Sequence, residues 1–188
     1  MKTILRKDSA SSKSWRSLVV PLLAGGLLFL GACATEIVKQ TTAFNEADFQ
    51  AYARTGSATI QGNAFARSDT GRKHGAAGIM IYLVPLTPYT EERAKIMESG
   101  KEPAPADPEL AKFVKSMVGN FYGAFAFQNL PAGKYLVYSK VSWEPVFATS
   151  RARDASGDVW VVARTEVTDG QVAQVVASNV AIPKSAAQ

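Results

Sequence analysis

The sequence predicts an all-β protein, a β-sandwich with a helical insertion, preceded by a leader that is removed. Six short runs of β-type residues follow one another after residue 56, separated by Gly, Pro and Asp. One stretch of about 30 residues, between the second run and the third, has helical patterning instead. Strands followed by more strands, with a single helical excursion, favour a sandwich over an alternating α/β fold.

Composition places the chain among ordinary globular proteins. Of its 188 residues 47% are apolar and 20% are charged, which excludes a disordered chain, a collagen-like repeat and a polytopic membrane protein. The net charge of +5 is concentrated at the start, because residues 1–32 carry five basic residues against one acid, whereas the remainder holds 16 basic and 15 acidic residues. The domain after the leader is therefore nearly neutral, and without a basic stripe we expect no nucleic-acid partner.

The leader occupies residues 1–32. Its basic stretch ends at Arg16, and an apolar run of 13 residues extends over 18–30. A helix needs about 20 residues to span a bilayer, so this run fits the apolar region of a signal peptide better than a membrane span. The sequence therefore predicts a secretory leader that is absent from the mature protein.

The leader ends in Leu30-Gly31-Ala32-Cys33, which resembles the lipobox of bacterial lipoproteins. The resemblance implies that Leu30, Gly31 and Ala32 are recognised by the signal peptidase. It also implies that Cys33 becomes the first residue, with a diacylglycerol on its sulfur and an acyl chain such as palmitate on its amine. An Asp in the next position favours the inner membrane in that family, and here the residue is Ala34. A lipid-anchored envelope protein is thus implied, at the outer membrane facing the periplasm rather than at the inner membrane.

Two other roles for Cys33 stay open on the residues alone, a buried inert thiol and a catalytic nucleophile. A nucleophile needs a base and a shielded site, whereas this cysteine lies at the end of a leader. It is the only cysteine in the chain, so no internal disulfide can form and the fold must depend on its core.

The elements after the leader are predicted from the Gly, Pro and Asp residues that separate them and from the alternation of apolar and polar residues within them. Residues 33–56 have no strand pattern and are predicted to be a lipidated tether, with at most a short helix beginning at Asn45. The sandwich is predicted over 57–180 and a tail over 181–188. The predicted strands are 57–65, 79–84, 124–127, 134–143, 159–167 and 171–177. The strand over 79–84 is apolar on both faces, which predicts a central or covered strand.

The helical insertion is predicted at about residues 89–118. A short helix over 91–98 would be capped by Thr90 and stopped by Gly100. A second, amphipathic helix of about three turns would follow Asp107, because Asp-Pro-Glu is typical of a helix start and apolar residues recur at helical spacing up to Met117. We expect this second helix to cover the apolar strand, and the insertion to carry most of the functional surface.

The segment GAFAFQNLPAGKY, residues 123–135, closely resembles the G-x-F-x-F-x-N-L-P-A-G-x-Y pattern of carboxypeptidase regulatory-like domains. The segment AGIMIYLVP, residues 77–85, resembles an early strand of the same family. The resemblance implies a transthyretin-like (prealbumin-like) Greek-key β-sandwich over roughly residues 57–178. It implies little about function, because such a scaffold hosts unrelated activities.

Enzymes with that fold require residues that this sequence lacks. Hydroxyisourate hydrolase uses several histidines and intradiol dioxygenases bind iron through two Tyr and two His, whereas His74 is the only histidine here. We expect His74 to be a solvated loop residue, with a ligand contact as the alternative. A single His and a single Cys do not make a zinc site. The prediction is therefore no enzymatic activity, no catalytic residue, no metal site and no cofactor.

The candidate binding surface consists of Tyr89, Trp160 and Arg164. Trp160 alternates against Val159 and Val161, so it should face away from the core together with Arg164. An outward Trp can stack on a sugar ring or on a partner. The alternative is that the insertion or the tether packs over Trp160, and the same two alternatives hold for Tyr89.

Three functions remain open. The first is a non-catalytic, lipid-anchored interaction module of the cell envelope with a protein partner. The alternative is a lipoprotein that binds carbohydrate, either peptidoglycan or a surface glycan. The least favoured is an enzyme with an unrecognised pair of carboxylates from distant loops, such as Glu144 with Asp158.

Overall fold

The protein is presented here as a computed structural model that describes residues 36–144 and 156–180. These residues belong to one compact unit, Ala34–Gln188. The predicted leader, the lipobox residues Leu30, Gly31 and Ala32, the acylation site Cys33 and the tail over 181–188 lie outside the described residues. Among the helices of the described part, none has the length and apolar character needed to cross a bilayer.

The described residues form ten strands and three helical segments. The strands are β1 Ile37–Val38, β2 Ala58–Arg67, β3 Lys73–Gly75, β4 Met80–Pro85, β5 Glu102–Pro103, β6 Lys115–Val118, β7 Ala124–Leu130, β8 Gly133–Trp143, β9 Gly157–Val167 and β10 Val172–Ser178. The α-helix α1 is Pro88–Glu98, and two 3₁₀ helices span Glu46–Tyr52 and Pro108–Phe113. All six predicted strands are confirmed, most of them extended by one to three residues.

Eight strands make one sheet in the order β3-β2-β10-β9-β8-β4-β6, with β7 paired to β2 as well. The longest ladder joins β8 and β9, from Gly133 opposite Val167 to Trp143 opposite Gly157. In contrast, β10 and β9 share a single backbone pair at Ser178. The sheet therefore curls at that narrow junction, and its two parts enclose the main core in a sandwich-like arrangement.

The main core is built by strict alternation. Every second residue of β8 and β9 points inward, and β2, β4, β7 and β10 add their own inward residues. The fully buried members are Ala58, Ile60, Ala64, Ala66, Ala76, Ile81, Leu130, Val137, Val141, Val161 and Ala177. An all-β fold is thus confirmed, and the alternation identified in the fourth and fifth predicted strands places its residues correctly.

A second, smaller core lies on the outer face of the sheet. Here α1 and both 3₁₀ helices pack on the outward residues of β4, β8 and β9, among them Val84 and Leu136. Phe49 and Leu110, one from each 3₁₀ helix, are buried in this layer. The apolar character of β4 on both faces is explained, because one face lines the main core and the other lies under this helical layer.

The prediction of a three-turn amphipathic helix after Asp107 is wrong. Asp107 does cap a helical segment, with its side chain accepting from the backbone N–H of Glu109 at 2.9 Å, but that 3₁₀ helix ends at Phe113. The chain then forms β6, which pairs with β4 from Met80 opposite Val118. A short helix there would have left an edge of β4 unpaired, and sheet pairing overrides the helical spacing.

The predicted tether also differs from the structure from Glu36 onward. β1 pairs with β5, and the 3₁₀ helix over Glu46–Tyr52, capped by Asn45 as predicted, buries Phe49 completely. The carboxylate of Glu92 on α1 accepts hydrogen bonds of 2.7 to 2.8 Å from Thr41 and Thr42. The hydrogen bonds that Thr42 and Thr41 donate lower the pKa of Glu92 from 4.5 to about 2. The segment over 36–56 is therefore part of the folded domain.

The start of α1 lies three residues before the predicted one. Thr87 is the N-cap, and it forms a capping box with Thr90, whose hydroxyl accepts from the backbone N–H of Thr87 at 2.9 Å. Pro88 occupies the first turn, where its missing N–H costs nothing. The end agrees with the prediction, since Gly100 follows with a φ of 76°, a conformation that favours glycine.

Candidate functional site

A groove runs between the last turn of α1 and the outer face of β9 and β10. Its volume is about 550 Å³. Trp160 and Arg164 of β9 and Glu98 of α1 form its polar rim, and apolar residues of β9 and β10 form its floor. Trp160 and Arg164 thus lie together on the outer face, as the sequence predicts, and the helical layer that contains α1 leaves Trp160 half-buried rather than covered.

Trp160 is the end of a row of three aromatic rings. Tyr82 of β4 stacks on Tyr138 of β8 with 5.2 Å between ring centroids, and Tyr138 lies 6.1 Å from Trp160. Strand register sets this row, because Tyr82 is directly opposite Tyr138 and Trp160 is its diagonal neighbour across the β8–β9 ladder. Burial raises the pKa of Tyr138 above its ordinary value.

Polar groups surround the exposed edge of the Trp160 ring. The indole N–H donates to Glu102 at 3.2 Å, and the ammonium of Lys140 lies 5.6 Å from the ring centroid. Lys140 also donates to Glu102 at 2.9 Å and lies 3.0 Å from Asp158. The hydrogen bonds with Glu102 and Asp158 raise the pKa of Lys140. A recess of about 60 Å³ opens among these four side chains.

The guanidinium of Arg164 is bound by carboxylates of the same domain rather than presented to a ligand. Its guanidinium donates to Glu91 at 2.8 and 3.1 Å and to Glu98 at 2.5 and 3.1 Å, two carboxylates that lie two turns apart on α1. The hydrogen bonds that Arg164 donates to Glu98, and to a smaller extent to Glu91, raise the pKa of its guanidinium further above the ordinary value. Arg164 therefore fixes α1 over the sheet and sets one wall of the groove, which is a positioning role.

Tyr89 is not part of an exposed surface, and its assignment to the candidate binding surface is corrected. Its side chain is only 5% exposed, its hydroxyl accepts from the backbone N–H of Asp107 at 2.8 Å, and its ring meets Phe44 edge to face at 5.5 Å. The backbone carbonyl of Tyr89 accepts from Gln40 at 3.0 Å. The segment over 36–56 covers it, which is the alternative that the sequence left open.

His74 is likewise not a solvated loop residue. It lies in β3, is partly buried, and stacks on Trp143 with 4.5 Å between ring centroids and 10° between ring planes. Trp143 in turn packs against the main core, as its inward alternation predicts. Within 36–144 and 156–180, no group of three or more His, Cys, Asp or Glu side chains could hold a metal ion.

Sequence reasoning missed Glu102, Lys140 and Tyr138. The alternation of β8 contains a signal for two of them, because Tyr138 and Lys140 fall on the face opposite the inward Val137 and Val141. Glu102 lies in a Pro-rich connector, and nothing in its sequence neighbourhood indicates that it reaches Trp160, 58 residues away.

Comparison with known proteins shows the fold. The chain is similar to a crystal structure from Pseudomonas aeruginosa, described as that of a candidate carbohydrate-binding protein, with a TM-score of 0.62 and 21% identity over 73% of this chain and 98% of that one. An (S)-allantoin synthase aligns with a TM-score of 0.30 and 13% identity over 68% of this chain and 43% of its own. No protein-family model matches the sequence, and no curated protein matches it. The protein therefore shares the fold of the Pseudomonas structure.

Proposed function

We propose that the protein is a non-catalytic carbohydrate-binding domain, held at the cell envelope by a lipid on Cys33. The observation that carries the proposal is the aromatic row ending at Trp160, with Glu102, Lys140 and Asp158 around its exposed edge. This order reverses the one favoured by the sequence, in which a protein partner comes first and a glycan second.

The chemistry of the groove suits a sugar. An aromatic face packs against the C–H face of a pyranose ring, and carboxylates and ammonium groups exchange hydrogen bonds with its hydroxyls. Glu102 and Asp158 line the smaller recess on the Trp160 side of the groove and are already oriented by Lys140, so a ligand that reaches this recess would meet groups that need little ordering. A groove of about 550 Å³ falls within the usual range for small-ligand sites.

The pairing of charges supports binding rather than hydrolysis. Glu102 and Asp158 both engage Lys140, and Glu91 and Glu98 both engage Arg164. A glycosidase needs one carboxyl group free to donate a proton to the leaving oxygen. Carboxylates held by a shared cation are suited to accepting hydrogen bonds from hydroxyls.

Similarity of fold adds support from outside the chain. The Pseudomonas protein described as a candidate carbohydrate-binding protein is matched over nearly its whole length. Fold likeness alone does not assign function, so the argument depends on the groove residues themselves.

The anchor and the family likeness belong to the same proposal. The tetrapeptide Leu30-Gly31-Ala32-Cys33 supports acylation at Cys33, and two or more acyl chains give the stable attachment that one chain does not. The likeness to carboxypeptidase regulatory-like domains, with their transthyretin-like Greek key, is supported by the inward placement of Phe125, Phe127 and Tyr135 at the positions of the motif.

The proposal is tested by retention on insoluble peptidoglycan and by binding to an array of soluble oligosaccharides. Trp160→Ala is expected to abolish binding while shifting the melting temperature little, because the ring is half-buried at the margin of the helical layer. Trp160→Phe should retain part of the affinity, since a smaller stacking surface remains.

Tyr122→Ala is the matched control, because it removes an exposed aromatic side chain that does not line the groove, and it should bind like the wild type. Undiminished binding by Trp160→Ala would move the site elsewhere on the domain. A wild-type protein that binds neither peptidoglycan nor any oligosaccharide would refute the function.

A further inference from the structure

The turn between β6 and β7 presents two aromatic side chains to solvent. Phe121 is 83% exposed and Tyr122 is 74% exposed, and their rings meet edge to face at 5.4 Å. Two more exposed apolar residues, Val118 and Met80, lie beside them where β6 ends and β4 begins. We call these four residues the aromatic tip. An exposed apolar group of this kind marks a surface that meets another apolar surface.

The aromatic tip is held in a fixed shape. The side-chain oxygen of Asn120 accepts from the backbone N–H groups of Tyr122 and Ala124, both at 2.9 Å. Gly123 adopts a φ of 73° and donates to the carbonyl of Asn120 at 2.8 Å, which closes the turn. The two rings are therefore presented on an ordered turn, so contact with a partner costs little conformational entropy.

The chain enters the domain at the same end of the sheet. The carbonyl of Glu36 accepts from the backbone N–H of Glu102, and the side chain of Glu102 reaches Lys140 and Trp160. On the β9 side, Lys140 is directly opposite Trp160. On the β4 side, the ladder ends at Ile81 opposite Ser139, and the next position places Met80 beside Lys140. Met80 pairs with Val118 in turn. The four strand positions form one row, from the point where the chain enters to the aromatic tip.

The distances along this row are short. Three strand spacings of about 4.8 Å separate Trp160 from Val118, which is about 15 Å. Cys33 precedes Glu36 by three residues, and three residues extend over at most about 10 Å. An anchor at Cys33, which rests on the proposed function, would keep this end of the domain next to the bilayer.

We infer that the aromatic tip docks on the bilayer that holds the acyl chains of Cys33, as a second point of membrane contact. Tyrosine and phenylalanine are well suited to the interface, where an apolar ring enters the boundary of the acyl chains while a phenolic hydroxyl stays hydrated. With two points of contact the domain is held in one orientation relative to the membrane.

The experiment uses the acylated full-length product in vesicles of phosphatidylethanolamine and phosphatidylglycerol. Because acylation consumes Cys33, a Phe121→Cys substitution supplies the only free thiol for an environment-sensitive fluorophore. The fluorophore should be quenched by lipids with brominated acyl chains. A matched label at Asp169→Cys, in the exposed turn between β9 and β10 at the opposite end, should not be quenched.

A double variant, Phe121→Ser with Tyr122→Ser, checks the contribution of the rings. With a label at Val118→Cys, quenching should fall to the level of the Asp169 site, while peptidoglycan retention stays unchanged. Equal quenching at positions 121 and 169, in protein whose acylation at Cys33 is verified by mass, refutes the docking alone. Absence of acylation refutes the anchor and the docking with it, and leaves glycan binding to its own test.

Discussion

The two ends of α1 differ in how the rest of the folded chain covers them. Each end lies beside an aromatic residue expected at the surface, Tyr89 at the start and Trp160 near the end. At the start, the segment over 36–56 closes over the Tyr89 ring. Near the end, the side chains of Glu102 and Lys140 approach Trp160 without closing over it, and a groove remains. Exposure of an aromatic side chain is thus decided by chain segments distant from it.

The largest expected difference between the two ends of α1 is the effect of Phe49→Ala on stability and on glycan affinity. Phe49 is fully buried in the layer that covers Tyr89, and its loss should lower the free energy of unfolding by about 3–5 kcal/mol, measured by urea denaturation. Glycan affinity per folded molecule should stay unchanged, because the Trp160 groove lies at the other end of α1. A loss of affinity equal to that of Trp160→Ala would show that the two ends act as one unit.

A smaller effect is expected from acid. Because hydrogen bonds lower the pKa of Glu92 to about 2 in the folded protein, this carboxylate contributes stability above its ordinary pKa of 4.5. That contribution should be lost as the pH falls from about 4.5 towards 2, when the unfolded chain binds the proton more readily. Melting temperatures across this range should fall less steeply for Glu92→Gln. Parallel pH profiles of the two proteins would contradict the role of Glu92 in holding residues 36–56.

The smallest effect concerns the groove wall. Arg164→Lys keeps the positive charge but cannot engage Glu91 and Glu98 at the same time in forked geometry. Because the pair is partly exposed, we expect a loss of only about 0.5–1 kcal/mol in unfolding free energy. Glycan affinity measured by calorimetry should fall severalfold, since α1 forms one side of the groove. An unchanged affinity would mean that the ligand contacts the sheet face without α1.

The sequence predicts the strands better than what covers them. Alternation in β8 and β9 depends on neighbours along the chain, so the inward positions of Val137, Val141 and Val161 are readable from the residues. The strand β6 cannot be predicted in this way, because its apolar residues also fit a helix, and only the free edge of β4 decides in favour of a strand. The packing of residues 36–56 on α1 depends on Glu92, fifty positions away, and carries no local pattern.

The candidate site shows the same limit. The outward position of Trp160 follows from alternation alone, whereas its partner Glu102 arrives through a loop. Arg164 was expected to face a ligand, and instead it is bound by two carboxylates on a helix 66 and 73 positions earlier. Residue chemistry indicates what a side chain can bind, but only the fold determines what it already binds.

The pairing of β2 with β10 has a consequence for how the domain is made. These strands run parallel, from Thr59 beside Val172 to Phe65 beside Ser178, and are separated by more than a hundred residues. Contacts of such long range slow folding, because a large loop must close before they form. The β2 edge must therefore wait until residues 172–178 have been synthesised. A chain that stalls before residue 172 would expose that edge to other unfinished chains, and this is the stage at which we expect a chaperone to be needed.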